Sequence, residues 1–212
     1  MTATPHDRHD EVLEFWFGRL NEGVAPPRVR RRWFAGGAAL DAEIRERFAT
    51  LVDAAAQGAL HWRDTPRRTL AFILVCDQFA RHVHRGTARA FATDALALAA
   101  ARAGIERGFD RPLGIDERAF FYMPFEHSES AVDQHAAVGL FTALREDTPA
   151  SRRRLAGDYL RYARQHRDIV LRFGRFPHRN RALDRESNDA ERAFLASASH
   201  FGQGAATPGG KG

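Results

Sequence analysis

The chain has 212 residues, 44% of them hydrophobic and 28% charged, which is enough for one sizeable core and too apolar for disorder over most of its length. Its formal charge of +5 rests almost wholly on arginine, Lys211 being the one lysine, and no apolar stretch approaches the roughly 20 residues of a membrane helix. The lone Cys76 excludes an intrachain disulfide and no secretory leader is visible, so a soluble, cytoplasmic protein without membrane partners is expected.

Apolar residues recur at helical spacing along the whole chain, with no convincing alternation of the strand type. Asp10 to Phe17 reads as a short helix with Leu13 and Phe17 on its inner face. Ile44, Phe48, Leu51, Val52 and Ala55 form the stripe of a second helix that Gly58 stops. Thr65 and Pro66 are a cap and first turn opening a helix to about His82, apolar nearly all round and so expected at the centre. Thr93 or Asp94 starts an alanine-rich helix ending near Gly108, whose small residues permit close helix approach.

Asp116 is expected to cap a short helix that Pro124 interrupts. Ser128 or Ser130 then opens a helix to Leu144, so that Glu126 to Glu129 would sit at a helix start. The longest helix, about Ser151 to Phe173, carries Leu155, Tyr159, Tyr162, His166, Val170 and Phe173 on one stripe and ends at Gly174 and Pro177. Asn188 with Glu191 three residues later has the form of a capping box before a last helix. The pair Thr65–His82 and Thr93–Arg107 has about the length of one tetratricopeptide unit, whose period is about 34 residues.

Several charges fall on stripes that the pattern buries. Asp77 continues the Leu70, Ile73, Leu74 stripe with Arg81 one turn on; Asp133 lies with Ala137, Leu140 and Leu144; His166 lies with Tyr159 and Val170. A buried carboxylate must be paired or protonated. Either these groups satisfy one another (Asp77 with Arg81, Asp133 with an arginine, His166 with a helix carbonyl or tyrosine), or they line a polar cavity. Glu126, His127 and Glu129, with His166 and His178, offer the imidazole and carboxylate groups that zinc, manganese or iron accept, but in no established ligand spacing. No metal or other cofactor is therefore assigned.

Arg175, His178 and Arg179 follow the longest helix beside Phe173 and Phe176. They suit either a helix C-terminus or a bidentate anion site. The runs Arg28, Arg30, Arg31, Arg32 and Arg152, Arg153, Arg154 read as solvated faces. No nucleic-acid-binding module accompanies them, and nucleic acid is not an expected partner.

Beyond these readings, the segments Leu13-Glu14-Phe15-Trp16-Phe17-Gly18, Asp77-Gln78-Phe79 with Arg81, and Arg85-Gly86-Thr87 with Phe91 and Asp94 form a pattern with two longer ones. Those are Tyr122-Met123-Pro124-Phe125-Glu126-His127-Ser128-Glu129 and Phe173-Gly174-Arg175-Phe176-Pro177-His178-Arg179-Asn180. Together, from about Glu11 to Leu195, the chain resembles a widespread bacterial family known only as a domain of unknown function with a tetratricopeptide-like helical fold. Ala80 stands where that pattern has proline, and Asp184 where glycine is usual. The resemblance implies a fold and no substrate, cofactor or catalytic residue.

The expected architecture is all-α, a tetratricopeptide-like array of about seven to nine helices in one domain over residues 10–201. A flexible N-terminus (1–9) would precede it and a disordered glycine-rich tail (202–212) follow it. Asp77, Arg81, Glu126, His127, Glu129, His166, Arg175, His178 and Arg179 are the candidate lining of an interior pocket for a small anionic ligand or a peptide end. The alternatives are a hydrolase using a metal or a His/Glu acid–base pair from the same residues, and a scaffold that binds a protein partner along a groove.

Overall fold

The computed structural model describes residues 8–35 and 37–197 and is all-α among them. Of the N-terminus expected to be flexible (1–9), residues 1–7 lie outside the described residues, as do those from 198 through the glycine-rich tail, while His9 is already part of the first helix. In chain order the elements are α1 (His9–Phe17), α2 (Pro27–Ala35), α3 (Gly37–Ala56), α4 (Pro66–Ile73), a π-helical turn (Leu74–Phe79) and α5 (Ala80–Val83). After a 3-10 turn (Ala88–Phe91) come α6 (Asp94–Glu106), α7 (Ile115–Glu126) and α8 (Ala131–Asp147). Another 3-10 turn (Ala150–Arg152) leads into α9 (Arg153–Phe173), and a third (Pro177–Arg179) precedes α10 (Asp189–Ser197). No described helix is long and apolar enough to cross a membrane.

The central helix forms as its sequence dictates. Thr65 Oγ1 accepts the Arg68 N–H at 3.3 Å, Pro66 occupies the first turn, and every residue from Leu70 to Cys76 is at most 3% exposed. The α4–π–α5 unit packs against α1, α3, α6 and α7, while α7, α8 and α9 lie side by side in chain order. Burying each large apolar side chain of that unit contributes about 1.5–3 kcal/mol. The main core is continuous from Val12 to Ala163, and a smaller cluster of Ile169, Val170 and Phe176, with Phe173 and Phe194 against it, fastens the C-terminal segment.

Two glycines decide one close approach. Gly23 sits at φ +75, and a Cβ there would lie 2.8 Å from the Gly114 Cα; one on Gly114 would lie 2.5 Å from the Gly23 Cα. The backbones touch, so the loop before α2 is seated on the first turn of α7, with the Asp116 N–H donating to Gly23 O at 3.0 Å.

Several expectations need correction. α7 does not start with an Asp116 cap: Gly114 is the cap residue, and Asp116 is fully buried, accepting from the Ala25 N–H and the Tyr159 hydroxyl. Nor does Pro124 break α7, because the helix ends only two residues later and loses a single hydrogen bond. α2 was not legible as a helix at all. On α9, Tyr162 is 39% exposed, and the buried face instead adds Ala156, Leu160, Ala163 and Ile169, because α7 and α8 both press on it. The Asn188–Glu191 capping box forms as read, with Asn188 Oδ1 accepting from the Glu191 N–H and Glu191 Oε2 from the Asn188 N–H, each at 2.9 Å. Asp184, standing for the usual glycine, takes φ +52, a left-handed conformation that aspartate tolerates better than most residues.

Candidate functional site

The polar groups on the buried stripes converge where the π turn, the end of α7, the second half of α9 and the turn after it meet. The π turn comes first. Its wide winding is closed by the Ala80 N–H donating five residues back to Val75 O, at the position where a family-type proline would have no such donor. Within it lies Asp77, 1% exposed. Gln78 donates to Asp77 Oδ2 at 2.5 Å, Arg81 reaches Oδ1 at 3.0 Å, and the His127 Nδ1–H donates to Oδ1 and Oδ2 at 2.7 and 2.9 Å. Burial opposes the ionisation of Asp77, but Arg81 and then His127 outweigh it and hold the carboxyl below its usual range.

Arg81 also forks onto Asp94 at the start of α6, at 2.7 and 2.9 Å, and donates to its own helix at Asp77 O. From the C-terminal turn comes Arg179. One of its terminal nitrogens donates to His127 O at 2.8 Å, and the other reaches Asp94 only at 3.4 Å. Its guanidinium lies between the Phe91 and Phe176 rings, 4.7 and 4.6 Å from their centroids, and its buried Nε has no hydrogen-bond partner. Burial and the neighbouring Arg81 pull Arg179 down to about 10.

Beside this pair sits a second imidazole–carboxylate couple. The His166 Nδ1–H is shared between Glu126 Oε1 and Tyr162 O, each at 2.9 Å. Burial disfavours the imidazolium here, yet Glu126 prevails and His166 is shifted upward. The His127 and His166 rings are 6.2 Å apart, and Phe176 lies edge-on to His166 and 5.3 Å from the His178 ring. Burial, then Arg179, His166, His127 and Arg81, push His178 down to about 3.

Glu126 and His127 end α7 rather than opening the next helix, which Ser130 caps. A glutamate at a helix C-terminus meets the negative end of the dipole, and the His166 imidazole offsets that mismatch. Glu129 lies at the edge: it accepts the Phe176 N–H at 2.8 Å and forks with Arg185 at 2.7 and 3.0 Å, tying the turn after α9 to the loop before α8. Arg175 faces away from the cluster, held by both Glu191 oxygens and Glu186 O. Asp133 pairs with Arg102 at 2.6 Å and with Ser128.

Asp94, shared by both arginines, and Phe91 stand in the sequence only as a helix start and as members of a motif, and neither they nor Arg185 are among the candidate site residues. Their presence in or beside the quoted motifs was the available signal. Among the described residues no three His, Cys, Asp or Glu side chains group so as to hold a metal ion. What the arrangement offers chemically is a partly buried guanidinium, a buried and incompletely paired one, and two imidazoles whose Nδ1 atoms are fixed by carboxylates.

Residues 12–199 match the family model described as "Bacterial protein of unknown function (DUF924)". A solved structure, a protein of unknown function from Agrobacterium tumefaciens, is 39% identical; the match covers 90% of this chain and 97% of that one, with a TM-score of 0.75. No curated protein matches the chain.

Proposed function

The chain belongs to this bacterial family of unknown function, and we propose that the convergence of Arg81, Arg179, His127, His166 and His178 is a binding site for a small anionic ligand, a phosphate or carboxylate compound or the carboxylate end of a peptide. The observation that carries the reading is Arg179: an almost fully buried guanidinium, stacked between two rings, with one long contact to a carboxylate it shares with Arg81 and an unsatisfied Nε. A buried cation is normally fully paired, and an incompletely paired one favours an anion that completes its hydrogen bonding.

The two histidine–carboxylate couples favour one further reading, an acid–base reaction on that bound anion. Asp77 holds the Nδ1 side of His127, which leaves Nε2 to take or give a proton. This is the metal-free form of a His/Glu acid–base hydrolase.

Thermal-shift and calorimetric titration with inorganic phosphate and with malonate test the binding. A ligand present at 100 times its Kd stabilises a folded chain by about 2.7 kcal/mol. The stabilisation should disappear in Arg179→Met, and the His178 imidazole should titrate at a higher pH when the anion is bound. Equal stabilisation of wild type and Arg179→Met would sink the reading.

A further inference from the structure

The two arginine runs play no part in that site, yet the fold sets one residue of the first and two of the second on the walls of one cleft. α2 supplies Arg30 to one wall, while the 3-10 turn and the first turn of α9 supply Arg152 and Arg154 to the other. Val24, Pro27 and Leu155 line the space between them, and the cleft has a volume of about 690 Å³. That is within the range of small-molecule sites, about 300–1,000 Å³.

The arginines are unevenly neutralised. Arg30 lies 3.5 Å from Asp116, a carboxylate already engaged by the Ala25 N–H and the Tyr159 hydroxyl, and the buried Arg30 Nε makes no hydrogen bond. Arg152 is bound at 2.7 Å by Glu22, whose side chain is 76% exposed, so that this solvent-screened pair is weak. Arg154 forms no ion pair among the described residues. The acidic residue of the wall, Asp158, is paired with Arg161 at 2.6 Å.

We propose that this cleft is a second ligand site, one that takes an organic phosphate of about nucleotide size. Its phosphate would lie among Arg30, Arg152 and Arg154, and its apolar part would rest on Pro27, Val24 and Leu155. Several converging guanidiniums suit a multiply charged phosphate better than a single carboxylate, since each forks onto two oxygens. The convergence on a concave, partly apolar space also suits a compact ligand better than an extended nucleic-acid backbone, which calls for a basic stripe. The site is separate from the one around Arg179: Arg154 and His166 are twelve residues apart on α9, about 18 Å along its axis.

Isothermal titration of the full chain with ADP tests the proposal. One ADP should bind per chain, Arg154→Glu should weaken it tenfold or more, and Arg179→Met should leave it unchanged. Because Arg154 is exposed and unpaired, its substitution should not disturb folding; Arg154→Gln, with a smaller expected loss, covers the case in which the charge reversal does. The proposal is overturned if ADP fails to bind at millimolar concentration or binds both Arg154 variants as tightly as wild type. It is equally overturned if binding is lost in Arg179→Met alone, or if a single-stranded oligonucleotide binds several chains per strand more tightly than ADP does.

Discussion

Replacing Asp77 by asparagine keeps the shape of the side chain and removes the charge on which three neighbours converge. Asp77 is 1% exposed and receives Gln78, Arg81 and the His127 Nδ1–H within 3.0 Å. An amide can accept on one oxygen only, and its NH2 then faces another donor. Breaking a buried ion pair by removing one partner costs about 3–5 kcal/mol. Arg81 keeps its fork to Asp94, so the lower end, about 3 kcal/mol, is expected for Asp77→Asn. For a chain of this size that is a fall in Tm of roughly 6–12 °C at pH 7.

The carboxyl of Asp77 is held below its ordinary value in the folded chain, so its stabilising contribution is complete above that ordinary value, near pH 4, and declines as pH falls further. Denaturant unfolding followed by circular dichroism between pH 7 and pH 3 should therefore show a gap between wild type and Asp77→Asn that is constant down to about pH 4 and narrows below it. A variant within 0.5 kcal/mol of wild type at pH 7, or a gap that persists undiminished at pH 3, would refute the reasoning.

For His166 the pH dependence has the opposite sign. Its folded value is raised, so the contribution of the Glu126–His166 couple is present below the ordinary histidine value of about 6.5 and is lost as pH rises through the folded one. Wild type should thus exceed His166→Gln in stability by more at pH 6 than at pH 9, and an imidazole resonance of His166 titrating below 6.5 would contradict this. At the loop contact, Gly114→Ala places a Cβ 2.5 Å from backbone that cannot yield, and should cost at least about 1–3 kcal/mol in denaturant unfolding, the usual range for overpacking. Gly139→Ala, where a Cβ meets nothing within 4 Å, should be neutral or stabilising, and similar effects at both glycines would remove the contact argument.

How much of the molecule could be read in advance varies with the range of the interaction. Thr65–Pro66 and Asn188–Glu191 are caps within one turn, and both form as their residue types require. The stripe of Ile44, Phe48, Leu51, Val52 and Ala55 is buried throughout, because helix periodicity depends on the chain alone. α2 escaped because four arginines mask its apolar face, and Pro124 was read as a break because a proline's effect depends on how much helix follows it. The polar residues on buried stripes were recognisable as anomalies, and the bland pairings of Asp77 with Arg81, Asp133 with an arginine and His166 with a helix carbonyl are all present.

Partner choice across the fold was another matter. That Asp94 is shared by Arg81 and Arg179, that Glu191 draws Arg175 away from the cluster, and that Glu129 serves Arg185 and the Phe176 N–H are results of where distant segments dock. Composition and periodicity determined the helices, their caps and the list of misplaced charges, because those follow from forces acting within a turn or two of backbone. Only the tertiary structure decided which charges meet, because an ion pair depends on a few ångströms of separation and on shared burial, and both are set by helix packing between residues as far apart as Asp94 and Arg179.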